Sequence, residues 1–372
     1  MPADIPFGVT RRRLLQNALA LSVVAGLSSA ARALSRADSP DLLLGGGRYQ
    51  KRDGSTGFVI SRVDPLRHLI ERTEADFFPH GFAFAPGSSS RVYVFEKIGS
   101  GAGLFDLNEQ RCLHAIAPVN GRRFYGHGAC SSDNRYLFST ETSADGQGAI
   151  GVRDPQTLDY LGDFPSYGMN PHECRLLDND RVLMVTNGGG NQASGEPGSV
   201  CLIDVHTQAL LHKALMPDEH FNTGHFLPLT EDSAVVVSAP RLGLDKHQCG
   251  AVSQFQSGKL MPVSPQSVIA ADIPGEALSI ARVAAHNLII VTHPTPGLLS
   301  FWSASDFAFR GQLSLHNARG VAVSADESRV WVSCGDRADI RALNPATLTL
   351  DETVHVPASY ITGSHLLNLA LI

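Results

Sequence analysis

One short segment recurs along the chain at a spacing near 45 residues, and that period constrains the fold more than any other feature. His80-Gly81-Phe82-Ala83-Phe84-Ala85, His127-Gly128-Ala129-Cys130-Ser131-Ser132 and Arg319-Gly320-Val321-Ala322-Val323-Ser324 share one pattern. His172-Glu173-Cys174-Arg175-Leu176-Leu177 and His225-Phe226-Leu227-Pro228-Leu229 are looser copies. Successive histidines lie 47, 45 and 53 residues apart. Such a period suits one four-stranded propeller blade and is too long for most helical repeats.

The copies also continue alike. A turn such as Ser132-Asp133-Asn134 or Asp178-Asn179-Asp180 leads to an arginine (Arg91, Arg135, Arg181, Arg329) and a β-rich run, for example Arg329-Val330-Trp331-Val332. A polar loop, another strand and a turn of the Asp154-Pro155-Gln156-Thr157 type follow, and a last strand closes the unit. Four short β-segments separated by turn chemistry make a blade. The ending turns stand at Asp64, Asp106, Asp154, Asp204, a degenerate one near Gln256-Ser257-Gly258, Ser305-Asp306 and Asn344, which makes seven. Ser364-His365-Leu366-Leu367-Asn368-Leu369 reads as an opening strand with no blade after it. It would complete the first blade, so the expected fold is all-β: a seven-bladed propeller closed jointly by N- and C-terminal segments. The four arginines are expected to pair with turn aspartates. Gly45-Gly46-Gly47 and Gly188-Gly189-Gly190 lack the strand–helix context of a phosphate loop and are read as turns.

The domain reading is a signal peptide over 1–33 and one propeller over 34–372. Thr10-Arg11-Arg12-Arg13-Leu14-Leu15-Gln16 resembles the twin-arginine signal, an apolar run Ala18–Ala30 follows, and Ala31-Arg32-Ala33 offers a signal-peptidase site. The run is too short for a stable membrane span. The expected location is therefore the periplasm. The six cysteines are scattered without Cys-x-x-Cys, which excludes zinc-ribbon and covalent haem readings. Most are read as buried free thiols. With a formal charge of −6 and no basic stripe beyond residue 40, nucleic acid is not an expected partner. Gly-x-Ser-x-Gly is absent, so no serine-hydrolase arrangement is proposed.

Phe124-Tyr125-Gly126-His127-Gly128, Ile150-Gly151-Val152-Arg153-Asp154, the stretch Gly162 to Glu173 and Val185-Thr186-Asn187-Gly188-Gly189 carry a family resemblance. Together they are similar to the twin-arginine-exported proteins of domain of unknown function 1513, over most of residues 40–372. That resemblance implies a periplasmic seven-bladed propeller, often encoded beside iron-uptake and imelysin-type proteins, with no established activity. Pro171-His172 with Asn187-Gly188-Gly189 is more weakly similar to the repeat of seven-bladed lactonases.

In a propeller the first strand of each blade lines the central channel. The repeat register then gathers His80, His127, His172 and His225 as candidate metal ligands at one channel mouth. His365, Glu173, Arg319, Asn187 and Glu141 are expected on the same face as ligand-binding residues, with His293 and Asp336 nearby. Converging neutral imidazoles suit iron, zinc or copper, and an added carboxylate favours iron or zinc. Histidine beside arginine could instead bind a small anion and supply a general base. Three functions follow: a binding protein for a metal, metal complex or periplasmic protein partner, possible through iron acquisition; a hydrolase of a lactone or similar ester; and a metal-dependent oxidoreductase. The first, non-enzymatic, reading is preferred.

Overall fold

The computed structural model describes residues 41–372, apart from 120, 192–194 and 264–272. The expected signal segment lies outside the described residues. Seven antiparallel four-stranded sheets follow one another as blades. Blades 2 to 7 are continuous in sequence, over 79–115, 122–169, 171–215, 226–262, 280–314 and 321–356. Blade 1 takes three strands from 43–75 and its innermost from Leu367–Asn368. Among the described residues helix is confined to two single turns, Ala284–His286 and Leu369–Leu371, and no helix there is long and apolar enough to cross a membrane.

Burial follows the strand sequences. Second strands such as Val182–Asn187, Leu288–His293 and Val330–Cys334 are buried along their whole length, as their runs of branched and aromatic residues require. Outermost strands such as Arg111–Ala115 and Leu210–Leu215 are largely exposed. The apolar core divides into seven clusters, each joining one pair of adjacent blades. A blade therefore cannot bury its faces without both neighbours.

The turn reading holds in detail. Asp64, Asp106, Asp154, Asp204 and Asn344 each accept two backbone N–H groups through one side-chain oxygen, closing Asx turns before the last strand of a blade. The degenerate turn of blade 5 is a two-residue hairpin instead, with Ser257 and Gly258 both at positive φ. Arg91, Arg135, Arg181 and Arg329 all lie against aspartates, at 2.6–4.0 Å. Cys112, Cys130, Cys174, Cys201 and Cys334 are free thiols, and Cys174, Cys201 and Cys334 are buried.

Gly45–Gly47 differ from expectation. They lie inside the strand Leu43–Gln50, not in a turn. A β-carbon on Gly46 would come within 2.1 Å of the Pro79 carbonyl oxygen, and one on Gly47 within 1.6 Å of that of Tyr360. The glycines are there so that neighbouring backbones can approach, which is the other use of glycine in a strand.

Closure joins the strand at 43–50 to the segment at 360–369. Leu43 pairs with Asn368 and Leu44 with Leu367, and the backbone N–H groups of Leu369 and Gly363 donate to the Leu42 and Gly46 carbonyls. Asp41 reinforces it by accepting the Asn368 amide at 2.6 Å, the Trp331 indole N–H at 2.8 Å and the Ala325 backbone N–H at 2.8 Å. One carboxylate thus ties blade 7 to both ends of the chain. Asp41→Ala strands three donors and should lower stability by about 3 kcal/mol, since an unpaired donor costs about 1–3 kcal/mol. Urea denaturation checks this; an unchanged midpoint would remove Asp41 from the closure.

Candidate metal centre

The inner strands start with histidine for a local reason. In blade 2 the ladder pairs Pro79 with Glu96 and then Gly81 with Phe95, so His80 occupies a bulge. Blade 4 repeats this: Pro171 pairs with Asn187, Glu173 with Thr186, and His172 is skipped. Blade 3 has a longer register shift between Phe124 and Gly128, which contains His127. A bulge re-aims its side chain, and here it aims imidazoles at the channel axis. Gly126, at φ +116°, makes room: a β-carbon there would lie 2.8 Å from His80 Cδ2.

Five imidazoles converge, one each from blades 1 to 5. Ring centroids lie 4.3 Å apart for His225–His365, 4.6 Å for His172–His225, 4.7 Å for His127–His365, 4.8 Å for His80–His365 and 5.0 Å for His80–His127. One nitrogen from each of His80, His127, His172 and His225 falls within 4.8 Å of the other three. With bonds of about 2.1 Å, tetrahedral ligands stand about 3.4 Å apart and opposite ligands of a square plane about 4.2 Å. The set would therefore draw inward to close on one ion, further for a tetrahedral than for a square-planar arrangement.

The nitrogens have no other employment. Nε2 of His80, His127, His225 and His365 is buried without a hydrogen-bond partner. His225 Nδ1 lies 2.6 Å from the Leu278 carbonyl oxygen. A carbonyl can only accept, so the proton is on Nδ1 and the Nε2 lone pair faces the ring. His80 Nδ1 lies 3.4 Å from the Ser364 hydroxyl. Burial, reinforced by the neighbouring imidazoles, holds His80, His172 and His365 well below the ordinary histidine range. His127 is lowered as far by burial, with His225, Arg175 and Lys97 adding to it. His225 is lowered too, by burial against the opposing pull of Glu173. The ring is therefore a set of neutral donors at neutral pH.

Glu173 sits beside the ring but is not free to ligate. One carboxylate oxygen takes Arg175 Nε at 2.8 Å and the other takes the Phe226 backbone N–H at 3.0 Å. Burial raises its acidity constant's pKa, yet Arg175, His225 and His365 outweigh that and hold it below the usual carboxylate range. Above the ring, Tyr125 stands 6.4 Å from His172, its phenol pKa raised by burial.

The remaining expected site residues go elsewhere. Glu141 is fully buried inside blade 3, paired with Arg153 at 2.8 Å and bonded to Ser139, because a carboxylate in a sheet interior needs a cation. Asn187 is consumed inside blade 4 by the Ser166 backbone and hydroxyl and by Ser199. Both side chains are thus committed to partners within the sheets. Arg319 lines a separate cavity of about 620 Å³ with Arg48, Phe78 and Thr362. Asp336 is an exposed partner of His316 in that region. His293 is buried in blade 6 against Ser300, with burial lowering its pKa to about 4. Reading the sequence missed Arg175 and Lys97 as groups acting on the ring. Arg175 had a signal: period-two alternation puts it on the same strand face as Glu173.

Comparison with known proteins fits this architecture. A family model described as "Protein of unknown function (DUF1513)" matches residues 78–357. The chain belongs to that family. The matched region contains His80, His127, His172 and His225, while His365 lies beyond it. No curated protein matches the chain. Among solved structures, hydrazine synthase of Kuenenia stuttgartiensis is similar, with a TM-score of 0.62 at 10% identity, covering 81% of this chain and 96% of that one. At that identity the likeness is one of fold.

A pH dependence follows from the ring. Unfolded histidines take up protons below about pH 6.5, while the folded ring does not, so the unfolded state binds more protons as pH falls. Stability should be full above pH 6.5 and fall below it, by up to about 1.4 kcal/mol per pH unit for each histidine. Replacing one ring histidine by Asn should make the metal-free protein's loss between pH 6.5 and 5 shallower. Urea midpoints across that range measure the slope, and an unaltered slope would mean that residue titrates as in the unfolded chain.

Proposed function

We propose that this chain is a periplasmic binding protein whose histidine ring holds one first-row transition-metal ion. The observation that carries the reading is that His80, His127 and His225 each have a buried Nε2 without a hydrogen-bond partner and, with His172, place ligand nitrogens within 4.8 Å of one another. Each buried, unpaired acceptor costs about 1–3 kcal/mol, and one ion would satisfy all of them. Neutral imidazoles are the donors that copper(II), zinc, nickel and iron(II) accept. No cysteine belongs to the ring cluster, and Glu173 is committed to Arg175, so copper(II) and zinc fit this donor set best.

Binding rather than turnover is favoured because the ring offers ligands but no paired acid and base beside it. The twin-arginine-like segment supports export of a protein folded around its ion. A place in iron acquisition is what the family's association with iron-uptake proteins suggests.

Protein exported natively and purified without chelator or His-tag should contain close to one metal ion per chain by elemental analysis. The His127→Ala/His172→Ala variant should contain less than a tenth of that. A wild-type protein that stays metal-free after equilibration with copper(II), zinc and iron(II) would overturn the reading.

A further inference from the structure

Two cavities open below the ring, of about 930 and 370 Å³. They share Arg175, His365, Leu367 and Ile372, so they are two lobes of one chamber on either side of the closing segment. The larger lobe is walled mainly by apolar residues such as Ala281, Val321 and Val323, and the smaller sets an apolar face of Phe82, Phe84 and Ala129 against polar groups. The smaller lobe reaches two ring histidines, His127 and His365. Its volume suits a small molecule.

Arg175 is the cation that both lobes share, Arg282 lining the larger one alone, and the Arg175 side chain is already oriented. Nε donates to Glu173 at 2.8 Å, Glu173 is itself fixed by the Phe226 N–H, and the guanidinium carbon lies 5.8 Å from the Phe226 ring centroid. The two terminal nitrogens take no partner among the described residues, and the side chain remains nearly half exposed. A guanidinium held along one edge presents the other as a preformed fork for a carboxylate or similar oxyanion. The acidic groups at the chamber rim are engaged elsewhere: Asp180 with the Ser132 N–H, Asp326 with Ser324 and Ser328, Glu327 with the Ala285 N–H.

We propose that this chamber binds a small amphiphilic anion, its head on Arg175 beside the histidine ring and its apolar body against the walls of the smaller lobe. Glu173 neutralises one edge of the guanidinium, and an ion in the ring adds positive charge beside the free edge. What the head meets therefore rests on the metal reading, whereas what holds it rests on Arg175. An ammonium head at that edge is repelled by the guanidinium, and short anions lack the apolar contribution of about 0.8 kcal/mol per buried methylene.

The test is titration calorimetry of the metal-equilibrated full protein with hexanoate, acetate and hexylamine, with metal content measured on each sample. Hexanoate should bind one to one and at least tenfold more tightly than acetate, and hexylamine should give no saturable heat. Arg175→Met should weaken hexanoate at least tenfold, Arg175→Lys should restore part of it, and Ala129→Trp, which fills the smaller lobe and leaves Arg175 in place, should block it. Metal retained with no saturable hexanoate binding, or hexanoate binding equal in all variants, overturns the chamber alone. Arg175-dependent hexanoate binding to a protein that takes up no metal overturns the metal reading alone.

Discussion

Every apolar cluster in this protein belongs to two blades at once, so the ring has to close before any blade is fully buried. Closure depends on the two-residue strand Leu367–Asn368 finding Leu43 and Leu44, with Asp41 gathering donors from Trp331, Asn368 and Ala325. The remaining order is hydrogen-bonded between blades. Thr186 donates to the Gly224 carbonyl of the next blade, and Thr292 does the same to Arg319. These hydroxyls fix the residues at the inner-strand starts, which is where the histidines stand.

The same closure produces the site. Five imidazoles from five blades cannot meet until the sheets pack radially, and His365 reaches the others only because its segment closes blade 1. Burial, with Lys97 and Arg175 acting on His127, keeps the imidazoles neutral. Hydrogen bonds within the protein satisfy little of the ring: Leu278 orients His225, Ser364 approaches His80, and the facing nitrogens stay unpaired.

Much of this was legible in the chain. The Asp turns act through their own neighbours' N–H groups, so Asp106 or Asp204 announces a turn wherever the blade sits. The histidines were legible for a related reason: a recurring residue in a recurring register must point the same way in every blade. Gly45–Gly47 were not, because a glycine needed for a turn and one needed for close backbone approach are identical in sequence. The partners of Glu141 and Asn187 were not legible, because loop register alone does not show that Arg153 or Ser166 will claim them.

By itself, then, the sequence determined the number of blades, their turns, the joint closure and the histidines that recur, since each is written in local chemistry repeated at one period. Tertiary structure alone decided which polar groups are spent inside blades and which stay free at the axis. It also decided that an oriented arginine and a two-lobed chamber lie beside the imidazoles. Those properties depend on distances between blades, and distances between blades exist only after the ring has closed.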